Sequence, residues 1–302
     1  MKNTFHFIAK VFSIYDTFER KTVDVMTLTI LILLFLVGLA NGFYSGLMGT
    51  GGNIILIPAL DLVLVLFGIE GQELVKYIIA HSLFITVFNG FAVVLKHYRI
   101  KNLYPKPILW IGIPAGFAAY FVSEWIKGSE WYSKTYFDIL FLFLVLTVCI
   151  RFLFFKPKVA TTKMQQKVQD SLWCHMGLGG FTGVTSALSG FGGGIVLIPA
   201  LTDLFGIPFK KTASISIGVV MVLALAVSFS YLTIANDTSG TVLLPYQVGY
   251  ISLGLVGPIL LGIFVAAPLG VKTGQRMAPK WLRLIFGMVM AILVVKTSIS
   301  FF

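Results

Sequence analysis

Two glycine clusters hold the residue types and spacing in this sequence best suited to chemistry. Gly49-Thr50-Gly51-Gly52-Asn53 and Gly190-Phe191-Gly192-Gly193-Gly194 each sit inside a long apolar stretch. Glycine permits φ > 0 and close backbone approach, but weakens a helix by about 1 kcal/mol per residue. Each cluster is therefore expected to break a helix, and a short apolar segment follows each break. Such a segment starts with unpaired N–H groups at the positive end of a helix dipole. That terminus attracts an anion without placing a charged side chain in apolar surroundings. The competing reading is that these glycines only let helices pack closely, as small-xxx-small patterns do. Adjacent glycines followed by a proline (Pro58, Pro199) suit a break better than a packing face.

Other candidates surround the clusters. Ser45 and Ser186, four residues before the first glycine of each run, can donate hydroxyls, pack, or bond back to the i−4 carbonyl. Thr50 and Asn53 add donors to the first cluster, and Phe191 shapes the second. Ser82 and Ser214 stand near the start of corresponding helices and are expected to face the same cavity. His81 is the ionisable residue deepest within an apolar segment, a position that warrants a functional hypothesis. A hydrogen-bonded histidine near the interface is the preferred reading for it. Asn89 serves equally well as helix–helix glue. Lys76, Lys210 and Lys211 mark helix starts, and Asp61 and Asp203 lie near segment ends, so the carboxylates of a proton relay are missing. HExxH, GxSxG and grouped Cys and His are all missing from the sequence, which argues against an enzyme, a metal site or a cofactor.

The surroundings that must position these residues are a membrane. Of 302 residues, 57% are apolar and 12% charged, against about 45–50% and 25% in soluble chains. Residues 25–60, 171–202, 212–236 and 238–271 contain no Asp, Glu, Lys or Arg, each run being at least 25 residues long. About 20 apolar residues span a bilayer as a helix, so a soluble globule and a disordered chain are both excluded. The net charge of +11 sits in short loops and not on one face, so lipid is the partner and nucleic acid is not. Cys149 and Cys174 lie in separate apolar segments and read as small packing residues.

Ten apolar segments follow, near 26–48, 53–67, 77–95, 107–123, 136–155, 172–189, 194–206, 212–235, 247–269 and 282–300. Backbone groups must be paired in lipid, so these are expected to be helices. The second and seventh are too short for a full crossing. Residues 42–60 align without gaps on 183–201, with twelve of nineteen positions identical at an offset of 141. The chain therefore divides into a tail (1–25), a first repeat (26–155), a basic linker (156–171) and a second repeat (172–302).

The glycine loop followed by Pro-Ala-Leu, present twice, resembles the sulfite exporter TauE/SafE family. So does Ala267-Pro268-Leu269-Gly270-Val271-Lys272-Thr273-Gly274-Gln275-Arg276, leading through Leu282-Arg283 into a final helix. The resemblance covers nearly the whole chain from about residue 30. Asn53 departs from the repeat, standing where the second half has Gly194. The resemblance implies a transporter of sulfur-containing anions such as sulfite, thiosulfate or a sulfonate, in a bacterial cell (inner) membrane. An anion channel built on the same loops is the alternative.

Charge sets the expected orientation. Loops 96–106, 151–170, 203–211 and 271–283 hold fifteen of the twenty-three Lys and Arg residues. Loops 68–76, 124–135 and 236–246 and the C-terminus hold four, and the N-terminal tail the other four. Basic excess marks the cytoplasmic side. The first group is expected inside, with the two halves inverted and their glycine loops clasping one anion near the midplane. The four tail charges argue the opposite way.

Overall fold

The computed structural model describes residues 28–129, 132–154, 171–232, 244 and 246–299. Each of the ten apolar segments forms a helix over all or most of its length, as lipid requires. They are α1 (Leu28–Met48), α2 (Asn53–Leu66), α3 (Gly71–Arg99), α4 (Pro105–Lys127), α5 (Lys134–Phe154), α6 (Leu172–Ser189), α7 (Gly194–Pro199), α8 (Phe209–Leu232), α9 (Leu253–Arg276) and α10 (Pro279–Ile299). Among the described residues, α1, α3, α4, α5, α8, α9 and α10 are long and apolar enough to cross a membrane. The chain is an integral membrane protein. The expected N-terminal tail, and the linker apart from Ser171, lie outside the described residues.

Three differences from the sequence reading have physical causes. Helices α3 and α4 outrun their apolar segments because charged end turns continue them. Those turns hold the ion pairs Lys76–Glu73 at 2.8 Å and Lys127–Glu124 at 2.6 Å. The ninth helix starts at Leu253 instead of 247, because Gln247–Val248 pairs with Ile251–Ser252 in a small antiparallel ladder. Ser252 then caps α9 by accepting from the Leu255 amide. Finally, α7 passes into a π turn over Ala200–Leu204 just after Pro199, whose ring nitrogen cannot donate to the preceding turn.

Glycines and alanines set the helix directions. A Cβ on Gly38, Gly42 or Gly46 would strike the backbone at Ile259, Ile263 or Ala267 in turn, so α1 and α9 run parallel in close contact. Gly179 and Gly183 of α6 meet Ile111 and Ala115 of α4 in the same way. Lipid tails give apolar helices no hydrophobic reason to associate, so such contacts hold them by dispersion. The second contact repeats the first: Gly38 and Gly42 correspond to Gly179 and Gly183 at the repeat offset. Asn102 at the end of α3 donates to the Lys210 carbonyl at the start of α8, and Tyr231 near the end of α8 neighbours Tyr250, itself against Tyr77 of α3. These two helices are therefore antiparallel. Helices α5 and α10 are antiparallel too, with Phe152 against Phe286 at one end.

Helix α2 runs back down α3. Asn89 reaches Gly51 and Thr86 reaches Asn53, while Ile57 and Ile79 both flank Gly190. Helix α7 returns along α8 in the same sense, with Gly192 near Val220 and Thr212 bonded to the Ile207 carbonyl. At about 1.5 Å per residue, α2 and α7 reach only part-way through a bilayer. The turns after α3, α7 and α9 then share one face with the end of α5 and the start of α6. Those before α3, α5 and α9 share the other.

This arrangement fixes an accessibility test. Of the two loops that report the orientation, 236–246 is described only at 244 and 246, so Tyr246 serves as its reporter. Single cysteines at Lys101 and Tyr246, in a Cys174→Ser background, should react with an impermeant maleimide from opposite faces, Tyr246 from outside. A second expectation concerns α1 and α9. Gly42→Leu should force them apart and lower stability in detergent by about 1–3 kcal/mol, the usual cost of overpacking. An unchanged melting temperature would contradict the close contact.

Candidate functional site

Both glycine clusters break their helices in the manner the sequence predicts. Gly49, Gly51 and Gly52 have φ of 77°, 87° and 81°, and Gly190, Gly192 and Gly193 have 70°, 69° and 78°. These are left-handed conformations that side chains other than glycine rarely adopt. Gly194 is glycine for another reason: a Cβ there would run into the Thr50 backbone. The two loops therefore touch. They also converge on the same two side chains, since Cβ atoms on Gly51 and Gly192 would lie 2.8 and 3.1 Å from Val220 Cγ1, with Thr86 beside both.

A broken backbone in lipid needs partners, and the loops find them in each other and in α3. Asn53 Nδ2 donates to the Gly190 carbonyl at 2.7 Å, while its Oδ1 accepts from Thr86. Asn89 Nδ2 donates to the Gly51 carbonyl at 2.7 Å. Ser82 Oγ donates to the Ile79 carbonyl at 3.1 Å and reaches Gly190 O at 3.4 Å. Carbonyls are thus served while amides are left over. The amides of Gly51 and Gly192 donate to no group among the described residues. Neither α2 nor α7 has a side-chain cap or an acidic residue in its first turn, and left-handed Gly52 and Gly193 precede them.

Buried polar atoms without partners gather here as well. Among the described residues twelve such side-chain atoms occur, and six belong to Asn41, Ser45, Asn89, Thr182 and Ser186. All five residues are inaccessible to solvent. Asn41 and Ser45 are one turn apart on α1, as Thr182 and Ser186 are on α6, and the pairs correspond at the repeat offset. The Asn41 carboxamide lies against Gly52, and the methyl group of Thr182 against Gly193. Leaving such an atom unpaired costs about 1–3 kcal/mol, so these six atoms are the costly feature of the two helix breaks. Sequence reading reached Ser45, Ser186 and Asn89 but missed Asn41 and Thr182. The available signal was the i, i+4 spacing ahead of each repeated serine.

Other predicted residues sit elsewhere or are already engaged. His81 Nδ1 lies 2.7 Å from the Tyr77 carbonyl, and the Ser252 amide donates to Nε2 at 2.9 Å. An accepting Nε2 puts the ring proton on Nδ1, so neutral His81 ties the start of α9 to α3 away from the loops. Ser214 bonds the Asn102 carbonyl and holds the α3–α4 turn. Asn53 has both amide atoms engaged, and Thr50 Oγ1 accepts from the Gly52 amide at 3.4 Å. Phe191 stacks on Phe141, ring centroids 4.3 Å apart.

Each half-helix is anchored at its far end. Asp61 of α2 pairs with Lys134 of α5 at 2.7 Å, while Lys296 of α10 reaches the Pro58 carbonyl at 3.3 Å. Asp203, beyond α7, pairs with Arg151 of α5 at 2.8 Å. At the first anchor a cavity of about 50 Å³ is lined by Asp61, Asp138, Lys296 and Thr297, with Ile57, Ile78 and Phe141 among its apolar walls. Ile57 and Phe141 also touch the second loop, at Gly190 and Phe191. Burial and the Asp138 carboxylate push the nearby Tyr132 hydroxyl up, so it stays protonated and donates to the Leu188 carbonyl.

Comparison with known proteins agrees with this architecture. A "probable membrane transporter protein" of Methanocaldococcus jannaschii is 29% identical over 88% of this chain and 94% of its own. One from Haemophilus influenzae is 25% identical over 82% and 90%. A third, YunE of Bacillus subtilis, is 23% identical over 67% and 78%. No solved structure matches significantly. The family model described as "Sulfite exporter TauE/SafE" matches residues 11–297, and the chain belongs to that family of membrane transporters.

Proposed function

We propose that this transporter carries a small sulfur-containing oxyanion, such as sulfite, thiosulfate or a sulfonate, seated between the two glycine loops. The reading rests chiefly on one observation. Two uncapped helix starts meet inside a membrane protein, beside buried polar groups that are unpaired among the described residues. Backbone amides and neutral hydroxyls suit an anion, and they avoid the cost of an unpaired cation in lipid. The sulfur chemistry comes from the family description and the geometry supports the anion.

The two repeats form inverted halves in this reading. Support comes from α1 resting on α9 as α6 rests on α4, with α3 against α8 and α5 against α10 in opposite directions. Each half-helix swings with its loop, and its far end is latched by Asp61–Lys134 on one face and Asp203–Arg151 on the other. Release of one latch at a time gives alternating access. The loops are in contact at Thr50 and Gly194, so they part to admit the anion. With the basic loops inside, an inside-negative potential favours outward flow by about 2.3 kcal/mol per charge per 100 mV.

The test exploits hydroxyls that hold nothing together. Ser45→Ala and Ser186→Ala each remove a buried hydroxyl with no partner among the described residues. Folding should be unchanged or slightly firmer, and apparent sulfite affinity in proteoliposomes should fall roughly tenfold per lost contact of about 1.4 kcal/mol. Normal affinity in both variants would overturn the loop site. Saturable flux with counterflow is expected, and conductance without saturation would favour a channel.

A further inference from the structure

We propose that the first glycine loop selects its anion by protonation state. In this assignment the carboxamide oxygens of Asn41 and Asn89 accept the O–H of a singly charged, monoprotonated oxyanion. The hydroxyls of Ser45, Thr182 and Ser186 donate to its bare oxygens. The assignment rests on the loops being the binding site and goes further, because it concerns acceptors that a fully deprotonated anion cannot use.

The acceptors are fixed by their surroundings. Asn89 spends its Nδ2 on the Gly51 carbonyl, which identifies the remaining atom as Oδ1, buried and without a partner. Asn41 lies against Gly52 with both amide atoms unpaired, so whichever way its carboxamide is turned it presents one donor and one acceptor. Two carbonyl-type oxygens thus flank consecutive glycines of one loop. A bare oxyanion would be repelled by Asn89 Oδ1 and would leave the Asn41 acceptor unpaired, whereas a ligand with its own O–H satisfies both. The side chains of this seat, two asparagines, two serines and a threonine, are neutral. A second negative charge would enter a buried site that holds no cationic side chain among the groups named.

Titratable side chains of the protein stand on the helices around the loops. Tyr44 of α1, His81 and His97 of α3 and Tyr231 of α8 are buried on the surrounding helices. Charged residues of these helices lie toward their ends, as Lys76 and Arg99 do on α3 and Lys210 on α8, while α9 carries Lys272 and Arg276 near its end. A control anion that does not titrate separates their effects from the ligand's.

The experiment measures binding of sulfite and methanesulfonate to purified full-length protein at several pH values spanning the second ionisation of sulfite. Methanesulfonate carries one charge and no O–H throughout. Wild-type affinity for total sulfite should follow the hydrogensulfite fraction and fall as pH rises, while methanesulfonate affinity stays flat. Asn41→Leu removes a carboxamide that bonds nothing among the described residues, so it should fold normally. It should weaken hydrogensulfite binding about tenfold, a loss of about 1.4 kcal/mol, and leave methanesulfonate binding equal or tighter. Asn89→Leu should do the same in whatever folded fraction it yields. Sulfite affinity that rises or stays level with pH would overturn the proposal while leaving the loop site standing. So would equal weakening of both anions by Asn41→Leu. Loss of neither anion in Ser45→Ala and Ser186→Ala would instead remove the loop site itself, and this inference with it.

Discussion

Lipid cannot hydrogen-bond a backbone, and the centre of this protein is arranged around that constraint. Each glycine loop opens a helix at membrane depth, so its carbonyls need donors from within the protein. Asn53 crosses from the first break to the Gly190 carbonyl of the second, and Asn89 reaches from α3 to Gly51. Thr86 completes the link by bonding Asn53. These bonds hold the loops against each other, so the helices that carry them are coupled through the loops.

What the asparagines leave unserved matters as much. Side-chain amides pair the carbonyls, while the Gly51 and Gly192 amides and the hydroxyls of Ser45, Thr182 and Ser186 stay unpaired among the described residues. A protein seeking only stability would fill these positions with apolar groups of the same shape, at little cost or a gain. Retaining them at corresponding places in both repeats fits a ligand that supplies the missing partners.

The close contacts between α1 and α9, and between α4 and α6, serve the same centre. Dispersion between glycine and alanine faces brings each broken helix against a long unbroken one. In the proposed cycle these rigid partners are the frame against which each half-helix swings. The ion pairs at Asp61, in the second half of α2, and Asp203, beyond α7, lie on the side away from the glycine loops.

The sequence by itself determined the membrane class, the ten helices, the two breaks and their correspondence. Hydrophobic length and the glycine–proline pattern are local properties, and lipid leaves the chain few ways to satisfy them. It could not determine which polar residues would be left over. Asn53 looked like a free donor, yet its amide is engaged on both sides, while Asn41 looked ordinary and is unpaired. His81 stood out by its depth, but both ring nitrogens are engaged by α3 and the strand before α9. Pairing is settled across sequence separations such as the 137 residues between Asn53 and Gly190, so only the assembled helices decide it. The start of α9 was misplaced for the same reason: the apolar run continues through Gln247–Ser252, and a local strand pairing takes those residues first.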